Sequence, residues 1–205
     1  MAKLFDKVSG SFDSFDSNGI TDSNASFKVD QFKHWFVTIA GNKYTITSNT
    51  ATTLSFNNSL AATGNYEIAF VGRDYLNEIE SDFSDVVKIN DDLISKKYNQ
   101  TNIDLSNTVF AFLRPLFNGE FDPTQNILNL SVMQQTFAYY MIYLIFKDLS
   151  LNTENQNYFK SEDHLTLFKS TIKDVLALLQ VDFDEDGKAS SEEKRNSASS
   201  FSLVR

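Results

Sequence analysis

The apolar residues of this chain change their spacing once, close to Gly72 and Arg73, and that change most limits what it can fold into. Before it they alternate. Trp35, Val37 and Ile39 recur at every second position, as do Tyr44 and Ile46, Leu54 and Phe56, and Tyr66, Ile68 and Phe70. A period of two places one set of side chains on one face of a strand. After it they recur at three and four, as a helix requires. From Phe36 to Tyr66 the only charged side chain is Lys43, and threonines and aromatics fill the segment, which suits a pleated surface. Four or five short antiparallel strands are expected within residues 27–71, with a hairpin turn at Gly41-Asn42. Residues 13–24, rich in Ser, Asp and Asn with a turn at Asn18-Gly19, read as loop, and residues 1–26 as a loop segment.

The second region predicts four helices. Tyr75, Ile79, Phe83 and Leu93 space one from about Asp74 to Lys97. Val109, Phe112, Leu113 and Leu116 space a second, bent by Pro115. Leu130, Met133, Phe137, Met141 and Leu144 mark a third, and Leu165, Phe168, Ile172, Val175, Leu176 and Leu179 a fourth. The run FAYYMIYLIF, Phe137 to Phe146, is apolar all round. Ten helical residues rise about 15 Å, half a bilayer core, so it reads as the central buried helix rather than a membrane span. The fold class is α+β: a small N-terminal antiparallel β domain (27–73), an antiparallel α-helical bundle (74–181), and an acidic turn with an extended C-terminal arm (182–205).

Charge and chemistry narrow the function. The formal net charge is −9 over 205 residues. Residues 74–181 hold 8 basic and 15 acidic groups, a net of −7. That balance opposes general attraction to nucleic acid or an anionic membrane. There is no cysteine, which removes disulfides, thiolate metal sites and cysteine nucleophiles. No apolar signal-peptide core follows the first residues, which argues against Sec export. The only imidazoles are His34, read as lying on a sheet face, and His164, near the start of the fourth helix. With no phosphate loop, HExxH or GxSxG, the chain reads as a non-enzyme with no cofactor. Its 19 Phe, 8 Tyr and 1 Trp fit either a Phe-rich core or subunit contacts.

One local pattern points to a cation. Asp182 to Glu193 places Asp182, Asp184 and Asp186 at positions 1, 3 and 5, Gly187 at 6, Ser190 at 9 and Glu193 at 12 of a calcium loop. Against it stand Ala189 at position 8, a weak outgoing helix in KRNSASSFSLVR, and no second loop of equal quality. The two readings are a structural Ca2+ site and a solvated acidic turn.

Four passages carry a family likeness: FKVDQFKHWFVTIAGNKYTITSNTATTLSF, VGRDYLNEIESDFSDVV, VMQQTFAYYMIYLIFKDLS, and VDFDEDGKASSEEKR with the terminal SLVR. Together they resemble the head-to-tail adaptor, or connector, proteins of tailed bacteriophages. The resemblance implies a virion structural protein that assembles with itself as a ring, usually of twelve copies, beneath the portal protein. The ring extends the DNA channel, passes DNA without sequence-specific binding, and docks the tail or the next ring. It implies a place at the head-to-tail interface of the virion, and the host cytoplasm during assembly, with no membrane. It also implies a C-terminal arm from Lys188 to Arg205 that reaches the portal, hinged at Asp182–Glu193. Phe201, Leu203 and Val204 would be its apolar anchors and Arg205 its guanidinium fork. The alternative is a calcium-dependent binding or adhesion module with one EF-hand-like loop. A tail-completion ring or tube terminator is a third station for the same kind of protein.

Overall fold

The computed structural model describes residues 3–56, 64–87, 90–116, 126–150 and 156–182. It shows a mixed α+β chain in which an antiparallel sheet is followed by helices. The chain divides into two compact units. One is Phe5–Gly72; the other is Arg73 onward together with the first four residues.

In the first unit seven strands form one antiparallel sheet: β1 (Val8–Ser11), β2 (Ser14–Asp16), β3 (Gly19–Thr21), β4 (Phe36–Ile39), β5 (Asn42–Asn49), β6 (Thr53–Phe56) and β7 (Asn65–Ala69). Their spatial order is β1-β7-β4-β5-β6-β3-β2. The two ends of that order are separated only by Phe12 and Asp13. Phe12 N–H donates to Gly64 O (3.2 Å), on the β7 side, and Asp13 N–H donates to Thr21 O (2.8 Å), on the β3 side. Residues 8–16 therefore act as one bent strand, and the sheet curls until its ends meet. β5 serves both halves. It pairs with β4 up to Thr45 and with β6 from Ile46, with the register shifting between Ile46 and Ser48. Such an irregularity bends a strand, which closure of the sheet needs.

The alternating residues fill the interior as the spacing predicts. Trp35, Val37, Ile39, Ile46, Leu54, Phe56, Tyr66, Ile68 and Phe70 are all buried. The β4–β5 turn is built by Ala40 and Gly41, both at positive φ (49° and 81°), the pattern of a two-residue hairpin loop. Residues 13–24 correct the loop expectation. β2 and β3 form a hairpin there, register Ser14↔Thr21 to Asp16↔Gly19, and Asn18 N–H closes the turn on Asp16 Oδ1 (2.7 Å). Of the polar residues that suggested loop, Ser14 and Asp16 stand exposed on β2, Ser17 and Asn18 make the turn, and Asp22 is buried. Gly10 of β1 is a packing necessity, because a Cβ there would overlap the hydroxyl of Tyr66 and the carboxylate of Asp22. Those two groups hydrogen-bond at 2.8 Å in a buried setting.

The second unit has five α-helices among the described residues: α1 (Arg73–Ile79), α2 (Phe83–Val87), α3 (Asp91–Leu113), α4 (Gln134–Leu149) and α5 (Gln156–Leu178). The single helix expected from Asp74 to Lys97 is cut by caps. Asn77 Oδ1 accepts from Ser84 N–H at the start of α2, and Asn90 Oδ1 accepts from Leu93 N–H at the start of α3. The expected gap after Lys97 is instead continuous helix. Pro115 ends α3 rather than bending it, since the chain tightens there into a 3-10 turn, Arg114–Leu116. α4 is the central element. Thr136, Phe137, Ala138, Met141, Ile142, Leu144, Ile145 and Phe146 are buried around most of its circumference. It packs on α5, α3 and α1, with Tyr98–Phe137 (5.1 Å) and Tyr140–Phe168 (4.7 Å) ring contacts. No described helix is long and apolar enough to cross a membrane.

Candidate functional site

The two sides of α5 differ in character. Its inner side carries Ser161, His164 and Leu176, all buried, and the half-buried Leu165, Phe168, Ile172 and Val175. Those positions recur at three and four, which fixes the face that meets α4. Thr136 of α4 hydrogen-bonds Thr171 of α5 (3.2 Å) beside them.

One edge of α5 is secured by charge. Lys160 Nζ lies 2.7 Å from Glu80 Oε1 and also bonds Asp82, both in the turn between α1 and α2. One helical turn on, His164 Nε2 lies 3.0 Å from Glu80 Oε2. Glu80 thus holds two cationic or donor groups with its two oxygens. The Phe146 ring stacks on His164 (6.4 Å, 14°) and sits under the Lys160 ammonium (5.4 Å). Burial works against the Lys160 charge, yet the hydrogen bonds it donates to Asp82 and Glu80 outweigh it and hold the group above its ordinary range. Asp82 is held below its ordinary range, first by its hydrogen bond with Glu80 and then by Lys160. His164 Nδ1 is buried with no hydrogen-bond partner among the described residues. With Nε2 on Glu80 and Nδ1 buried, His164 ties α5 to the turn between α1 and α2. The cluster is a clamp between α5 and the α1–α2 turn.

The outer side of α5 exposes three large apolar residues: Phe159 (57 % exposed), Leu167 (40 %) and Leu178 (61 %). At 100° per residue they fall within an arc of about 100°. Asp163, Ser170 and Asp174, all exposed, lie in the same arc. Scattered apolar side chains are normal on a surface; these three share one helical arc, about 12 and 16 Å apart along the axis.

The residues singled out from sequence fare differently. His34 is not in a strand. It lies in the turn before β4 at φ 70°, exposed, its N–H donating to Ile46 O (2.8 Å). The two histidines lie in different units. Asp182 belongs to the helical unit. Its N–H donates to Asn126 O (2.8 Å), its carbonyl accepts from Asn126 Nδ2 (2.8 Å), and the adjacent Val181 pairs with Ile127. Asn129 continues the seam, accepting from Gln180 N–H (2.6 Å) and donating to Leu178 O (2.9 Å). Asp184, Asp186, Ser190 and Glu193 lie outside the described residues, as do Phe201, Leu203, Val204 and Arg205. Of five oxygen donors expected for a cation, only the buried Asp182 is described. Among the described residues no three His, Cys, Asp or Glu side chains converge as a metal site.

The Glu80–Lys160–His164 clamp escaped the sequence reading because its halves are about eighty positions apart. The i, i+4 spacing of Lys160 and His164 was the one available signal. The exposed arc of α5 was passed over differently: Phe159, Leu167 and Leu178 lie outside the repeat that marks the buried face, and no other spacing joined them. Comparison with family models, with curated proteins and with solved structures returns no match.

Proposed function

We propose that the chain is a virion structural protein, a head-to-tail adaptor of a tailed bacteriophage that assembles as a ring beneath the portal. The observation that carries this reading is the outer arc of α5, where Phe159, Leu167 and Leu178 stand exposed on a helix whose other side is secured within its own unit. A helix so anchored does not need those residues for its own burial, and they suit a repeated subunit contact. The sequence likeness to connector proteins supplies the station.

In this reading the helical unit is an antiparallel bundle. Its net acidity repels phosphates, so DNA passes the ring without being gripped. The arm from Lys188 to Arg205 reaches the portal, and the Asp182–Glu193 loop is its hinge. The stitching of Leu178–Asp182 onto Asn126–Asn129 gives that hinge a fixed base.

Cross-linking and image reconstruction of purified particles test the proposal. The expected result is a rotationally symmetric ring of this chain, cross-linked to the portal. One or two scattered copies without symmetry would overturn it.

A further inference from the structure

We infer that neighbouring copies join through two unlike surfaces, the 27–34 loop of one copy seating on the outer arc of α5 of the next. This rests on the ring reading above and names the contact that builds the ring.

The loop is built as a rigid projection. Asp30 and His34 both hold positive φ (57° and 70°) without being glycine. Such strain costs about 1–3 kcal/mol per residue and persists only where the surroundings impose it, often at functional positions. Here the surroundings are explicit. Phe32 N–H donates to the buried Asn49 Oδ1 (2.8 Å), Asn49 Nδ2 donates to Lys28 O (2.7 Å), and Asp30 N–H donates to Asn49 O (2.9 Å). Beneath the loop Phe27, Phe32, Trp35 and Phe70 form a chain of edge-to-face rings, 4.9–5.2 Å apart. What this scaffold displays is Val29, 67 % exposed, more than any other exposed large apolar residue among those described. Lys28 and Lys33 flank it against a single acid, Asp30, so the loop carries a net positive charge.

The arc of α5 has the opposite sign. Asp163 and Asp174 lie among its three apolar residues. Two such arcs cannot pair well with each other. An antiparallel two-fold pairing that matches Phe159 with Leu178 sets Asp163 against Asp174, and a parallel pairing sets each aspartate against itself. Like charges placed opposite one another in a contact disfavour it. The arc therefore fits an apolar, basic surface unlike itself, and the preorganised loop provides one at little ordering cost. A contact between unlike surfaces is heterologous, the type that closes into rings.

The absence of cysteine makes a clean test, because engineered thiols are the only ones present. The full chain is prepared as Val29→Cys, as Leu167→Cys and as the double variant, each with unchanged circular dichroism, and oxidised mildly at high micromolar concentration. The double variant is expected to give a ladder of disulfide-linked oligomers, and a mixture of the two single variants one mixed dimer. Each single variant alone should stay monomeric. Lys33→Glu in the Val29→Cys chain should lower the yield of mixed dimer at least several-fold, and Asp163→Lys in its partner should restore it. A Leu167→Cys dimer formed alone would overturn the inference in favour of α5 pairing with itself. The same thiols are then oxidised in assembled particles. A symmetric ring there without the 29–167 bridge defeats this contact and leaves the ring reading standing, whereas scattered copies defeat the ring reading itself.

Discussion

Replacing Asn49 by alanine removes the peg that shapes the 27–34 loop. Asn49 is 1 % exposed, and its side chain makes three hydrogen bonds, from Phe32 N–H (2.8 Å) and to Lys28 O (2.7 Å) and Thr50 O (3.1 Å). Thr50 is exposed, so its carbonyl can turn to water. Phe32 N–H lies beneath the loop and cannot, and Lys28 O is half-buried with its residue. A buried polar group left without a partner costs about 1–3 kcal/mol, and two such groups imply a loss of about 3 kcal/mol. The measurement is favourable because Trp35 is the only tryptophan and is buried next to Phe32. Urea unfolding of the full chain followed by Trp35 fluorescence reports the unit that holds the loop. With a slope of about 1.5 kcal/mol per molar, the midpoint should fall by about 2 M. Asn49→Asp keeps the acceptor for Phe32 N–H but faces Lys28 O with a carboxylate, so it should recover little of the loss. A fall of less than about 0.5 M in Asn49→Ala would refute the assignment of loop rigidity to this side chain.

Four further outcomes are expected. Gly10→Ala should lower the same Trp35 transition by about 1–3 kcal/mol, because the added methyl collides with the Tyr66–Asp22 pair; an unchanged midpoint would show that β1 shifts freely. Lys160→Met should weaken the helical unit by about 2 kcal/mol, read at 222 nm, by stripping Glu80 and Asp82 of their cation; full additivity with Glu80→Gln would show that the two do not act together. The raised Lys160 contributes stability that is complete below 10.5 and is lost as pH climbs through its higher folded value. The lowered Asp82 contributes stability present above 3.8 and lost as pH falls through its lower folded value. The Lys160–Asp82 contact should therefore contribute in full between these limits and be lost outside them, read as the difference in melting temperature between the native chain and Lys160→Met across pH; a difference that persists beyond both limits would contradict it. Random duplex DNA at physiological salt should bind weakly, and submicromolar affinity by fluorescence anisotropy would count against an acidic, non-gripping wall.

What sequence could reveal here was what neighbouring residues decide together. Alternation at Trp35, Val37 and Ile39 is local, and those strands stand where the period puts them. The strands between Val8 and Thr21 are short, and their partners are distant: Val8 pairs with Ile68, and Ile20 with Leu54. Ser9, Ser11, Ser14 and Asp16 stand exposed on them, so polarity that marks a turn elsewhere marks an exposed strand position here. Helix ends failed for a related reason. Asn77 and Asn90 are capping residues only once the backbone turns toward them, and their amide side chains look unremarkable inside an apolar repeat. Closure of the sheet at Phe12–Asp13 and the meeting of Glu80 with His164 are consequences of the whole fold, and no spacing rule announces either.

The same reasoning separates what α5 needs for itself from what it leaves over. Its packing on α4 and its clamp to the α1–α2 turn use Lys160, Ser161, His164, Phe168, Thr171 and Leu176. Phe159, Leu167 and Leu178 are absent from that set, as they are from the helical repeat Leu165, Phe168, Ile172, Val175, Leu176 and Leu179. A helix that uses Lys160 and His164 for its edge clamp and exposes leucine and phenylalanine on the other side has its burial and its solubility in conflict. Each is 40–61 % exposed, so full burial would return about 1–2 kcal/mol apiece. Among the described residues nothing covers them. The contact between copies proposed above would, most fully if the surface received there is apolar, basic and already rigid, as the loop around Val29 is.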